Sequence, residues 1–491
     1  MMKKLLYSIG VRIAMWILAS CSHEVKIAVR SEEPSPLMEE YADIIIPSNI
    51  APINFFVEAE DEKEGLVLTL DNRTLTVLCK DGALIPDLAA WKDLMADAKG
   101  KTIKVEHCIQ SNEGWKAYKA FDMKVAEEEI DPYLAYRLIP PGYEMWNEMG
   151  IYQRNLENFE ETAILNNTQT DRNCMNCHSF CMQNPEQMQL HIRAKHAGTL
   201  LLNEGTITKL DTKTEQTMSA LVYPYWHPSG KYITYSVNDT KQLFHTNHLN
   251  RIEVMDLASD VVVYDVEKNE IVTAPQLFGK EVFETFPSFS PDGKTLYFCA
   301  ARQQKMPDDT DKLKYHLCSI SFDAETRSFG DKVDTLYQAE QMNKSVSFPR
   351  VSPDGKHLMF TLADYATFPI WHQEADLWML DLEDGKLTCL DALNSNSVES
   401  YHSWSSNSRW VVFSSRRMDG LYTRPYIAYV FADGTVGKPF VLPQAKGDFY
   451  DKCMNSYNIP ELIKGKVDVS RQEMVRKVLS EEKKQVTSAM R

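Results

Sequence analysis

A ten-residue pattern that occurs four times between residues 226 and 413 limits the fold more than any other feature. Trp226-His-Pro-Ser-Gly-Lys-Tyr-Ile-Thr-Tyr235 is echoed by Phe289-Ser-Pro-Asp-Gly-Lys-Thr-Leu-Tyr-Phe298 and by Val351-Ser-Pro-Asp-Gly-Lys-His-Leu-Met-Phe360. A fourth copy, Trp404-Ser-Ser-Asn-Ser-Arg-Trp-Val-Val-Phe413, lacks the Pro and Gly, and the first lacks the Asp. Pro pre-sets φ for a tight turn, Gly accepts positive φ, and the apolar pair two residues apart that ends each copy puts its side chains on one face of a strand. From Trp226 to Phe289 to Val351 to Trp404 the steps are 63, 62 and 53 residues, long enough for one four-stranded blade with its loops. Further strand candidates fall between the copies, among them 261–266, 377–382 and 426–430.

Four such copies in register resemble the propeller repeats of the TolB family over roughly residues 200–450. A degenerate earlier unit is also expected, with His178-Ser-Phe180 in its opening strand and 199–202 and 206–210 closing it. The expected fold is therefore mainly β. An N-terminal β-sandwich-like domain (38–130) leads through a connector (131–197) to a five- or six-bladed TolB-like β-propeller (198–455). A partly helical tail (456–491) follows. Within the N-terminal domain, period-two runs such as Leu66-Val-Leu-Thr-Leu70 predict strands, and 88–98 predicts one helix.

The N-terminus addresses the chain outward. Lys3 and Lys4 precede an apolar stretch ending Leu18-Ala-Ser-Cys21, the arrangement of a secretory signal (1–20). The stretch is too short to span a bilayer and is interrupted by Arg12. Leu-Ala-Ser-Cys resembles the lipobox of bacterial lipoproteins, which implies lipidation at Cys21, a tether (21–37) and a place on the cell envelope, facing periplasm or exterior from the outer membrane. A plain signal peptide with an incidental Cys is the alternative. A net charge of −16 argues against a nucleic-acid partner. The nine cysteines after Cys21 are an odd number without the close, regular spacing of a disulfide framework, and the scattered Cys79, Cys108, Cys299, Cys318, Cys389 and Cys453 fit buried apolar thiols or one or two bridges.

One segment carries chemistry. Cys174-Met-Asn-Cys177-His178 has the spacing by which two thiols reach the two vinyl groups of one haem and the following His binds its iron. Haem c is the expected cofactor, with Met188, His191 and His196 as candidate sixth ligands, His191 preferred. Zinc is the rival, because Cys174, Cys177, His191 and His196 also satisfy a finger spacing. A disulfide involving Cys174, Cys177 or Cys181 is the third reading. The run from Asp131-Pro-Tyr133 through Gly150-Ile-Tyr152 to Cys174–Phe180, followed by the repeats, resembles exported Bacteroidetes-type proteins that join an N-terminal β-domain, a cytochrome-c-like motif and a propeller. That resemblance implies the architecture and a haem site more than any activity. Three functions compete: a redox or haem-sensing lipoprotein, a scaffold for an envelope protein or glycan, and a hydrolase. No Gly-x-Ser-x-Gly or His-Glu-x-x-His motif supports the last.

Overall fold

In the computed structural model the chain is described over residues 25–56, 63–80, 82–140 and 148–489. The signal segment and Cys21 lie outside these residues. Between Tyr133 and Ile463 the chain builds six antiparallel sheets, each of four principal strands, laid down almost in sequence order. Sheet two runs from Met175–Cys181 at its inner edge to Thr206–Asp211 at its outer edge. Sheets three to six open with Val222–Trp226, Val282–Phe289, Ser345–Val351 and Glu399–Trp404. Neighbouring opening strands pack side by side around a common axis, giving a propeller-like ring.

The first sheet closes the ring. Its strands Tyr133–Ile139, Gly150–Asn155 and Glu161–Asn166 come from the segment expected to be a connector, and its inner strand is Ser456–Ile463, expected to be tail. The aromatic and proline content of 131–160 hid a period-two pattern, in which Leu134 and Tyr136 face one core while Ala135 faces another. The remaining tail forms the helix Arg471–Leu479, capped by Ser470 Oγ. It ends in two short strands, Lys484–Gln485 and Thr487–Ser488, that extend the outer edges of sheets two and three.

All six inner strands share one irregularity. Their pairing slips by a bulge, and at each bulge one residue has left-handed φ: Cys177 (50°), Tyr223 (51°), Phe286 (49°), Phe348 (53°), Tyr401 (50°) and Ile459 (52°). A bulge re-aims the side chain it carries, and these six all face the axis. Four of them pack ring against ring in turn, tilted by 49–55°, with ring centroids 4.4 Å apart for Tyr223–Phe286, 4.2 Å for Phe286–Phe348 and 4.8 Å for Phe348–Tyr401. The next residue is Pro in four strands and His in the other two, His178 and His402.

The repeated turns are alike in their hydrogen bonds. Ser290 Oγ donates to Asp292 Oδ1 and accepts from Thr295 N, and Ser352 repeats this with Asp354 and His357. In the divergent fourth copy Ser405 and Asn407 do the same, while Ser408 (φ 63°) stands where the others have Gly. Its Ser406 replaces Pro, and the backbone N–H so restored donates to Asp131 Oδ2 at 2.7 Å.

The N-terminal unit is one seven-stranded sheet plus the ribbon Phe55–Phe56/Ala83–Leu84, rather than a sandwich of two full sheets. Leu66, Leu68 and Leu70 alternate onto the face that packs on Trp91 of the helix Leu88–Ala96 and on Trp410, Val412 and Ile427 of the sixth sheet. The propeller thus takes the place of a second layer, because those apolar side chains have nothing else to cover them.

Candidate functional site

The strand Met175–Cys181 places the Cys-x-x-Cys-His sequence on the axis. Cys177 is one of the six bulge residues, and Cys174 and His178 flank it on the wall of a cavity of about 650 Å3. Both thiols are free and buried. Burial pushes the Cys174 thiol up, against the pull of Arg137 and Arg193. His178 is 2% exposed. Neither of its ring nitrogens has a hydrogen bond of good geometry, the backbone of Ile459 offering only a weak one. Burial, aided by the Arg137 charge, lowers its pKa to about 3, so at neutral pH the imidazole is uncharged with a lone pair free. Two thiols and an uncommitted imidazole on one cavity wall form the donor set that thioether attachment and axial ligation require.

The other sequence candidates separate. Asn184–Ile192 is a strand, because Met188, Leu190 and Ile192 alternate into the core of the second sheet. Met188 is therefore packing and does not reach the cavity. His191 does reach it. His191 lies directly across from Asn176 in the pairing register, with Nδ1 at 3.2 Å from Thr199 Oγ1 and Nε2 without a partner among the described residues. His196 points away, its Nε2 at 3.0 Å from Asp171 Oδ2 and its backbone N–H on Asn173. The zinc set of Cys174, Cys177, His191 and His196 is thus not assembled, and among the described residues no group of three or more His, Cys, Asp or Glu is placed to hold a metal ion.

Sequence reasoning missed most of the cavity. The hairpin Tyr232–Phe244/Ile252–Asp265 overshoots its sheet and roofs the space with Gln242, Phe244, Ile252 and Val254. Arg137, Arg172, Arg193, Arg350 and Arg416 enter from five separate places in the chain, with no spacing that could have flagged them. On the far side of the bulge ring lies a second cavity of about 80 Å3, lined by His178, Arg350, His402 and Glu461. Burial there raises Glu461 to about 8, although Phe180 N–H donates to it at 3.0 Å.

No protein-family model matches the chain, and no curated protein does. Among solved structures it is similar to a hypothetical selenium-binding protein from Sulfolobus tokodaii, at 9% identity over 84% of this chain and 96% of that one, with a TM-score of 0.38. A puromycin-hydrolyzing peptidase from Mycobacterium tuberculosis aligns at 10% identity over 62% of this chain and 46% of its own length, with a TM-score of 0.37. A DUF4784 family protein from Bacteroides caccae aligns at 8% identity over 71% and 93%, with a TM-score of 0.29. At these scores the likeness assigns neither family nor activity.

Proposed function

We propose that the chain is an exported, lipid-anchored envelope protein, tethered through Cys21, whose TolB-like six-bladed propeller carries one haem c in its axial cavity. Its role is electron transfer to a partner protein, or haem-linked sensing, at the membrane surface. The observation that supports this most is His178: a buried imidazole with no committed hydrogen bond, beside two free thiols on the wall of a cavity large enough for a prosthetic group. Cys174 and Cys177 would hold the group covalently, His178 would bind its iron, and His191 is the nearest further imidazole on that wall. When bound, the group would supply reversible one-electron exchange. The chain's own part is to keep His178 neutral by burial, to fix Cys177 at a bulge, and to shut water out below with the packed rings of Tyr223, Phe286, Phe348 and Tyr401.

A second reading is a binding scaffold without haem, and one observation favours it. Cys177-His178 stands in register with Tyr223-Pro224, Phe286-Pro287, Phe348-Pro349, Tyr401-His402 and Ile459-Pro460, so half of the motif is also a blade repeat. A pyridine haemochrome spectrum of protein made in cells that mature c-type cytochromes separates the two. A c-type band that resists acid-acetone extraction and is lost in Cys174→Ala/Cys177→Ala is expected. Folded wild-type protein with no band would leave the scaffold reading.

A further inference from the structure

The axial cavity is positive in a negative molecule. Five arginines line it and, among the described residues, no Asp or Glu does, in a chain of net charge −16. Two of the five, Arg137 and Arg416, are deeply buried with no ion pair among the described residues, the Asp419 carboxylate acting on Arg416 only at longer range. Arg137, 8% exposed, is bracketed by neutral amides. Nη1 donates to Asn176 Oδ1, and Nη2 donates to the Asn458 oxygen at 3.1 Å once that amide is turned to suit its neighbours. Its Nε is buried and has no partner among the described residues. Arg416, 3% exposed, lies 3.5 Å over the Trp371 ring, with Nε on the Ile370 carbonyl at 2.9 Å and Nη1 on that of Leu421. Among the described residues Nη2 has no acceptor.

A buried cation without an anion is costly, and native structures rarely keep one unless something else neutralises it. Guanidinium groups in this state suit carboxylates, which take two parallel N–H bonds from one fork. Much of the remaining wall is aromatic: the bulge aromatics form the floor and Trp371, Phe368 and Phe244 stand at the sides, with Asn238, Thr240 and Gln242 adding neutral polar groups. We propose that the cavity is a binding site for a planar, largely apolar dicarboxylate, its rings against the aromatics and its carboxylates on Arg137, Arg193 and Arg416. If the haem c reading holds, the carboxylates are the propionates of that group. If it fails, a free ligand of the same chemistry fills the site. The arginine site does not depend on the thioether bonds.

Metal-free protoporphyrin IX and its dimethyl ester are suitable probes, because without iron neither can be ligated by His178. Full-length chain, made in cells that cannot attach haem and kept in mild detergent, is titrated with each by fluorescence. Saturable binding of one diacid per chain is expected, with the diester at least about tenfold weaker, the loss of one carboxylate–guanidinium contact or more. Arg416→Met should weaken the diacid about tenfold and bring the two probes closer together, with partial rescue by Arg416→Lys. Arg193→Ala, at a half-buried position, gives the same readout should Arg416→Met not fold. Equal affinity for diacid and diester, or arginine variants that bind like wild type, would overturn the proposal. Protein from haem-attaching cells distinguishes the sources. Haem-loaded chain that no longer takes up the diacid places both in one cavity, whereas haem-loaded chain that still binds it overturns the site. Chain that emerges without haem and still binds the diacid keeps the carboxylate site and removes the haem c reading.

Discussion

At the scale of single residues, the buried acid and imidazoles along the axis, unlike its arginines, are held in the protonation state that carries no charge. Glu461 is the clearest case, raised by burial to about 8 from an ordinary value of 4.5. Between those values the unfolded chain has lost this proton and the folded chain keeps it, so stability falls as pH rises through that window, by at most about 1.4 kcal/mol per unit. Below about 4.5 the contribution is whole. Glu461→Gln mimics the protonated acid, so its melting temperature should gain on wild type steadily from pH 5 to pH 8. A constant difference across that range would show that Glu461 is ionised in the folded protein. His178, His191 and His402 act in the opposite sense, each lowered to about 3, mainly by burial, so that protonation below pH 6 favours the unfolded chain. Little of this was legible in the sequence. Cys174, Cys177 and His178 announced themselves by spacing, but the roles of Arg137, Arg416 and Glu461 depend on what does not lie beside them, and a sequence cannot display a missing partner.

At the scale of elements, the legible part was the turn chemistry. Ser-Pro-Asp-Gly encodes its own hydrogen bonds locally, so two copies identified the repeat, and Ser405–Ser408 makes the same bonds with different letters. The reading failed where strands are defined by distant pairing. Tyr133–Ile139 and Ser456–Ile463 have no turn between them; the second is a strand because the first, about 320 residues earlier, lies beside it. That pairing makes a sharp prediction. A chain ending at residue 455 lacks the inner strand of one sheet and leaves two inner edges of the ring uncovered, so its cooperative thermal transition should be lost. A chain ending at residue 483 loses only the short outer strands Lys484–Gln485 and Thr487–Ser488 and should still unfold cooperatively, a few degrees lower. Circular dichroism melts of the two truncations check this, and equal behaviour would contradict ring closure by the C-terminal strand.

For the whole molecule, the N-terminal sheet and the ring share a core rather than a linker. Trp91 and Trp410 belong to one buried cluster, and the loop before Tyr133 is clamped by the Ser406–Asp131 and Trp410–Glu128 hydrogen bonds. Trp410→Ala removes a fully buried side chain and should cost about 3–5 kcal/mol, and the loss should register in both units at once. Native-state hydrogen exchange would report it: protection should fall together in 64–78 and in the sixth sheet. A fall confined to the sixth sheet would mean that the units fold separately.

The pairing of residue 135 with residue 461 also sets a timetable. During synthesis the second sheet, with Cys174, Cys177 and His178, can form long before its neighbour on one side is complete, since that neighbour waits for Ser456–Ile463. Until then the axis is an open trough instead of a walled chamber, and the two thiols face a gap the width of a blade. Anything bulky destined for the chamber has its widest entrance while the last strand is still to be delivered.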